Sequence, residues 1–255
     1  MKLMTLIPIQ LISTAVRNNL SVAFVDKTPL QHIVSSLAMS TQSRFSETSN
    51  DDMMIDKSVV PPLRYIGDKG LMKKQPPVNK EIINSDNFQE QLGMLHQAMK
   101  KYGGIGIAAP QIGWWTRVFC FGIDGTNPRY PAASSVPFAY WINPEIIWTS
   151  ETTNYMWEGC LSVPGMRGWV ERPSEIILRG MDEKGNIRES RLSGLKARVA
   201  QHEFDHLDGI LFPMCVPSSA FLLPHASMDV KDDWDEDWPS RGSRMTGLGE
   251  LSDER

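Results

Sequence analysis

The stretch Gln201–Gly209, "QHEFDHLDG", decides how this chain is read. It contains His-Glu-x-x-His. Two histidines four apart on a helix stand one turn above each other and can grip a single metal ion, with the glutamate beside a bound water. Working outward, the upstream apolar residues keep the same phase. Leu195, Val199, His202 and His206 step by 4, 3 and 4, so an inward-facing stripe runs into a pair of imidazoles. The spacing predicts a helix from about Gly194 to Asp208, with Ser193 as N-cap and Gly209 as the stop. Two satisfied core histidines are the plainer account, but all three fixed letters on an inward-facing stripe favour the metal.

Two imidazoles and a water leave a catalytic site one protein ligand short. A further His-x-x-Gly-x-x-His continuation fails, because the last position is Phe212. No acid occurs between Gly209 and Asp229, and His225 stands among leucines and a proline. The third ligand is therefore expected upstream, where the soft candidates are Cys120 and Cys160. Cys120, in the apolar "RVFCFG", reads as a buried packing thiol. Cys160, in "EGCLSVP", follows Gly159, read as a residue that lets the backbone turn tightly. A thiolate and two imidazoles leave a fourth position open. Cys215, nine residues after His206, is the runner-up.

The rest of the chain mixes a helix with strands. In "SDNFQEQLGMLHQAMKKYGG", Phe88, Leu92, Leu95, Met99 and Tyr102 form one apolar face. Asp86 with Gln89 is a candidate capping box, Gly103 the C-terminal stop, and His96, off the stripe, a surface residue. "TRVFCFGI", "FAYWINPEII" and "SEIILRGMD" have strand composition, and "MDEKGNIRESRL" turns at Lys184–Asn186. Helix, several strands, then helix predicts an α+β fold: antiparallel or mixed β-sheets around a central metal-binding helix, with an N-terminal helix. "GGIGIAAPQIG" contains Gly104-x-Gly106-x-x-Ala109, with Asp124 twenty residues beyond Gly104, as in a dinucleotide fingerprint. The fingerprint must follow a strand and open a helix; here it follows a helix and leads past Pro110 and Gly113 towards a strand. The small residues instead let a substrate backbone approach, and Gln111 supplies an amide able to polarise a carbonyl.

Composition bounds the rest. The 255 residues hold three cysteines, an odd and sparse set that suits a reducing compartment better than a disulfide framework. A formal charge of -4 gives no sign of direct nucleic-acid binding, and no run of 18 apolar residues predicts a membrane span. Residues 1–45 carry four bases against Asp26 alone, with ten Ser or Thr, which is how an organelle-targeting leader reads. Residues 216–255 carry nine acids against four bases and read as a solvated acidic tail, in which Trp234 and Trp238 are out of place. The expected division is a leader over 1–57, a catalytic domain over 58–215 and the tail over 216–255.

"GIGIAAPQ", "EGCLS" and "QHEFDH", in this order, resemble the three signature motifs of the peptide deformylases. The resemblance covers about Leu63 to Phe212 and is closest to the eukaryotic organellar branch in "EGCLSVPGMRGWVER" and "SGLKARVAQHEFDHLDG". "PMCVPSSAFLLP" departs from the family's continuation, and the leader and tail have no counterpart in its core. The resemblance implies removal of the formyl group from N-formyl-methionyl nascent peptides near the ribosome, releasing formate. It implies Cys160, His202 and His206 as ligands of one divalent ion. That ion is ferrous iron by resemblance, although ligand geometry alone suggests zinc. Glu203 becomes the general acid/base, Gln111 and the Leu161 N–H the oxyanion hole, and Gly106 a partner for the substrate strand.

Ile105, Leu195 and Val199 are placed to line an apolar pocket for methionine. Arg198 is expected to snorkel at its rim. Arg167 is a candidate both for substrate contact and for pairing with Glu158. The expected compartment is an organelle, a mitochondrion before a plastid. The competing functions are a zincin-like metallopeptidase, which needs a His or Glu third ligand, and a family member that binds formyl-peptides without turnover.

Overall fold

Ser85 starts the first helix, α1 (Asp86–Lys101), in a computed structural model that describes residues 60–123 and 135–234, all within the unit Asp56–Arg255. The helix lies where the apolar spacing puts it, but its cap is one residue earlier than expected. Ser85 is in extended backbone and its hydroxyl accepts the Phe88 N–H at 3.4 Å, while Asp86 is already helical. Gly103, at φ +68, ends the helix in the left-handed region as anticipated. Phe88, Leu92, Leu95 and Met99 pack with Ile107, Ile112, Val118, Cys120 and Ile142. Each such side chain, once fully buried, contributes about 1.5–3 kcal/mol. His96 is no ligand; it stacks on Phe138, ring centroids 3.9 Å apart.

Among the described residues eight strands form two sheets. One has the order β1 (Gly106–Ala108), β2 (Val118–Ile123), β3 (Val136–Thr149), β6 (Glu175–Met181) and β7 (Ile187–Ser193); the other has β4 (Thr153–Cys160), β5 (Val163–Pro173) and β8 (Leu222–Pro224). Every pairing is antiparallel, so of the two sheet types expected only the antiparallel one occurs. The turn between β6 and β7 is held by the Asp182 carboxylate, which accepts the Lys184 and Asn186 N–H groups at 2.9 Å each.

β2 explains why "VFCF" lacks alternation. Val118 and Cys120 face the α1 core, while Phe119, Phe121 and Ile123 face a second core built on the helix α2 (Gly194–Leu207). A strand covered on both faces has no polar side to show. α2 buries Ala197, Val199, Ala200 and Leu207 in that second core with Trp141, Ile176, Leu178 and Leu192. Ser193 occupies the N-cap position of α2 without a side-chain cap bond. Gly209 has φ +76, and a Cβ there would come within 2.7 Å of the Met72–Lys73 backbone, so this stop is doubly a glycine.

The chain beyond Cys215 does not behave as a solvated tail at first. Leu222 and Leu223 pair with Gly168 and Arg167 of β5, and Val216 and Leu222 pack on Val163, Val170, Leu211 and Phe212. Burial of these apolar residues outweighs the acidic composition that follows them. Trp234 lies with its ring 5.7 Å from that of Trp157. Residues 1–57, Asp124 and Trp238 lie outside the described residues. Among the described residues no helix is long and apolar enough to cross a membrane.

Candidate active site

α2 and the end of β4 meet over three donor atoms. One ligand atom each from Cys160, His202 and His206 lies within 4.8 Å of the other two, and these three residues are the group among the described ones placed to hold a metal ion. Cys160 Sγ is 3.2 Å from His206 Nε2 and accepts N–H groups from Ser162 at 3.3 Å and Gln111 Nε2 at 3.5 Å. Cys120 is fully buried in the α1 core, away from this group. Cys215 points at Asp205 Oδ2 instead, at 3.7 Å, and burial pushes its thiol up to about 11. Gly159 is not the tight turn expected. It is a strand residue at a β4 irregularity, and a Cβ on it would sit 1.4 Å from Arg167 Nη1. The missing side chain is the room through which the Arg167 guanidinium passes beside Cys160.

Behind the histidines lies a buried ionic network that the sequence reading missed. Glu158, expected to pair with Arg167, is held by Arg172, Arg198 and His202. Its carboxylate, 6 % exposed, accepts Arg172 Nε at 2.6 Å and Nη2 at 3.0 Å, Arg198 Nη1 at 2.7 Å, and His202 Nδ1 at 2.9 Å. Burial pushes this carboxyl up, but the Arg172 charge and the His202 and Arg172 hydrogen bonds hold it well below the usual carboxylate range. Arg172 also reaches Asp205 Oδ2 at 2.8 Å. Arg198 is no rim residue: it is 4 % exposed, because Glu158 and the backbone oxygens of Val170 and Asn154 receive its guanidinium. The spacing of Arg198, His202 and Asp205 along α2 places them on one face, a signal that could have found the network. With Nδ1–H given to Glu158, His202 presents Nε2 to the three-atom group.

The donor set fits a cation. Burial alone would lower His202, but its bonds to Cys160 and Glu158 hold it well above the ordinary imidazole range. Burial and the His202 charge push His206 well below it. A thiolate with two imidazoles is a recognised ligand set for zinc and iron.

Glu203 lies on the side of α2 that meets β1. It is 5 % exposed, its Oε2 is buried with no hydrogen-bond partner in the protein, and burial pushes its carboxyl up to about 7. Gly106 makes that approach possible: a Cβ there would lie 2.5 Å from Glu203 Oε1 and 2.9 Å from Val199 Cγ1. The glycine therefore seats β1 on α2, in addition to leaving its backbone open. Among the described residues β1 is an edge strand, paired with β2 alone. Gln111 is buried in the short 3₁₀ turn Ala109–Ile112 that follows β1. Its Oε1 accepts the Ala108 N–H at 2.8 Å, which turns its NH₂ towards Cys160 and towards Ser162 Oγ at 3.2 Å. Leu161 follows Cys160 directly and its side chain packs on the α1 core. Ile105, Val199 and, at its margin, Leu195 share the α2 core.

A thiol and two imidazoles able to hold a cation, with a protonatable buried carboxylate on the same helix and a fixed amide donor, have the composition of a metal-dependent hydrolase site. A sequence profile described as "Polypeptide deformylase" matches residues 60–220. Peptide deformylase 2 of Pseudomonas putida is 40% identical over 148 residues, 58% of this chain and 83% of its own. Peptide deformylase 1 of Prochlorococcus marinus is 50% identical over 126 residues, 49% of this chain and 66% of its own. The Met-Ala-Ser-bound class I type b peptide deformylase of Acinetobacter baumannii superposes with a TM-score of 0.60 at 37% identity, covering 62% of this chain and 99% of that one. The chain belongs to the polypeptide deformylase family. It is an enzyme of protein biosynthesis, a metal-dependent hydrolase that removes the N-formyl group from the N-terminal methionine of newly made proteins.

Proposed function

We propose that Cys160, His202 and His206 hold one divalent ion, ferrous iron in the cell and replaceable by zinc, and that Glu203, Gln111 and Leu161 carry the chemistry beside it. The observation that carries the reading is the convergence of the three donor atoms within 4.8 Å, with the Gln111 amide donating to Cys160 and the buried Glu203 next to His202 in the chain. When bound, such an ion polarises a carbonyl and lowers the pKa of water.

The residues supply the rest. Glu203, raised to about 7 by burial, is suited to take a proton from the attacking water and hand it to the leaving amine nitrogen. The Gln111 NH₂ and the Leu161 N–H donate to the formyl oxygen as negative charge develops there; one such donor is typically worth about 3 kcal/mol. The substrate backbone adds to the open edge of β1 at Gly106. Ile105, Leu195 and Val199 then receive the methionine side chain. Arg167, whose guanidinium crosses Gly159, is our candidate for contact with the peptide. In the Acinetobacter baumannii enzyme the bound molecule is Met-Ala-Ser, a peptide with methionine first.

The basic, hydroxyl-rich leader supports delivery to an organelle, a mitochondrion before a plastid, where the enzyme meets nascent chains close to the ribosome. Residues 1–57 fused to a fluorescent reporter should be imported; a diffuse cytosolic reporter would refute this part alone. The site reading is tested by metal analysis of anaerobically purified protein, paired with formate release from a formyl-methionyl dipeptide. One equivalent of iron and formate release support it. Cleavage of an unformylated peptide without formate release would replace it with a peptidase.

A further inference from the structure

The two halves of the three-atom group come from different elements. Both imidazoles ride on α2, which packs on the five-stranded sheet, whereas Cys160 ends β4 in the three-stranded sheet. Their separation depends on what fixes α2 to β4 and β5. Arg198, on α2 one turn before His202, spans that gap. Its Nη1 donates to Glu158 Oε1 of β4 at 2.7 Å and to the Val170 O of β5 at 3.0 Å. Its Nη2 donates to the Asn154 O of β4 at 2.7 Å and to Asn154 Oδ1. One planar fork thus meets acceptors on both strands, Asn154 and Glu158 lying four residues apart along the strand that ends in Cys160. Glu158 does not need Arg198 for its charge, since Arg172 already grips both of its oxygens. What Arg198 alone adds among these contacts is the tie from α2 to Asn154 and Val170.

We propose that Arg198 is a positioning residue for the metal site: by tying α2 to β4 and β5 it sets the distance between the His202–His206 pair and Cys160. The proposal rests on these three residues being the ligands. It implies that Arg198 governs how tightly the site closes on an ion, acting through geometry and touching neither ion nor substrate. Outer-layer partners of metal ligands typically change affinity 10- to 100-fold when removed.

The test measures zinc affinity by chelator competition for the full chain, Arg198→Met, Arg198→Lys and Cys160→Ala, together with thermal melts and near-ultraviolet circular dichroism of the metal-free proteins. A second readout is the rate of Cys160 alkylation by iodoacetamide in the zinc-loaded proteins, read on the Cys160 peptide. Arg198→Met is expected to lose zinc affinity by about 100-fold and to expose Cys160 to alkylation. Arg198→Lys keeps the charge but not the fork, and should lose about 10-fold. If Arg198→Met does not fold, Arg198→Lys decides. A folded variant that binds zinc within threefold of the parent overturns the proposal, even if its melting temperature has fallen. Failure of the ligand assignment looks different: the parent then binds no zinc, or Cys160→Ala binds it as well as the parent.

Discussion

Glu203 is held where a carboxylate is uncomfortable. Burial raises its carboxyl from 4.5 to about 7, so in the metal-free protein its contribution to stability is fully present below about pH 4.5 and is lost as pH rises through 7. The difference corresponds to roughly 3 kcal/mol. Glu203→Gln, which cannot ionise, should therefore stabilise the metal-free protein near pH 8 and leave it unchanged near pH 4, as denaturant titrations at the two pH values would show. Equal effects at both would mean that the carboxyl is not buried as described. The same variant should retain metal and substrate affinity while turnover falls by about 10²- to 10⁴-fold. Turnover within a few-fold of the parent would remove Glu203 from the proton path. Among the three thiols, Cys160→Ala should lose metal and activity while Cys120→Ala and Cys215→Ala keep both. Full metal occupancy in Cys160→Ala, by elemental analysis, would return the assignment to Cys215.

At the scale of elements, the two helices were legible because a single period ran through each. The stripe Phe88, Leu92, Leu95, Met99 and the stripe Leu195, Val199, His202, His206 are both where the spacing placed them. β2 was legible as a strand, but its double burial was not, since that depends on which helix covers each face. The Glu158 network stayed hidden for a similar reason. Arg167 and Arg172 are both near Glu158 in sequence, and only the β4–β5 register decides between them: Glu158 stands opposite Gly168, and Arg172, opposite Asn154, reaches it along the face of the sheet. The most local cue missed was "AFLLP", an apolar run in an acidic segment that becomes β8. Ending the chain at Cys215 removes that strand and the cover of Phe212 by Val216 and Leu222. The shortened protein should melt several degrees lower, at roughly 2–4 °C per kcal/mol for a domain of this size. Unchanged melting after the cut at Cys215 would mean that β8 adds nothing to the fold.

At the scale of the whole molecule, the proposed ligand set draws on two sheets that share no strand among the described residues, bridged by one helix whose residues serve three purposes. Val199 is core, His202 and His206 face Cys160, and Arg198 ties the helix to the second sheet. Residues 1–57 contribute no motif to this arrangement, and a chain beginning at Ser58 should release formate as fast as the full one. The central claim is that this assembly is a metal-dependent deformylase that selects a long apolar first side chain. It is tested most directly by kcat/KM for release of formate from formyl-Met, formyl-norleucine and formyl-Ala tripeptides, and of acetate from the acetyl-Met tripeptide, by metal-loaded and chelated protein. With about 0.8 kcal/mol per methylene, formyl-Ala should fall roughly two orders of magnitude below formyl-Met, and formyl-norleucine should stay close to it. Acetyl-Met should be a poor substrate, and chelation should abolish release from all four. A flat profile, or formate release untouched by the chelator, would contradict the account.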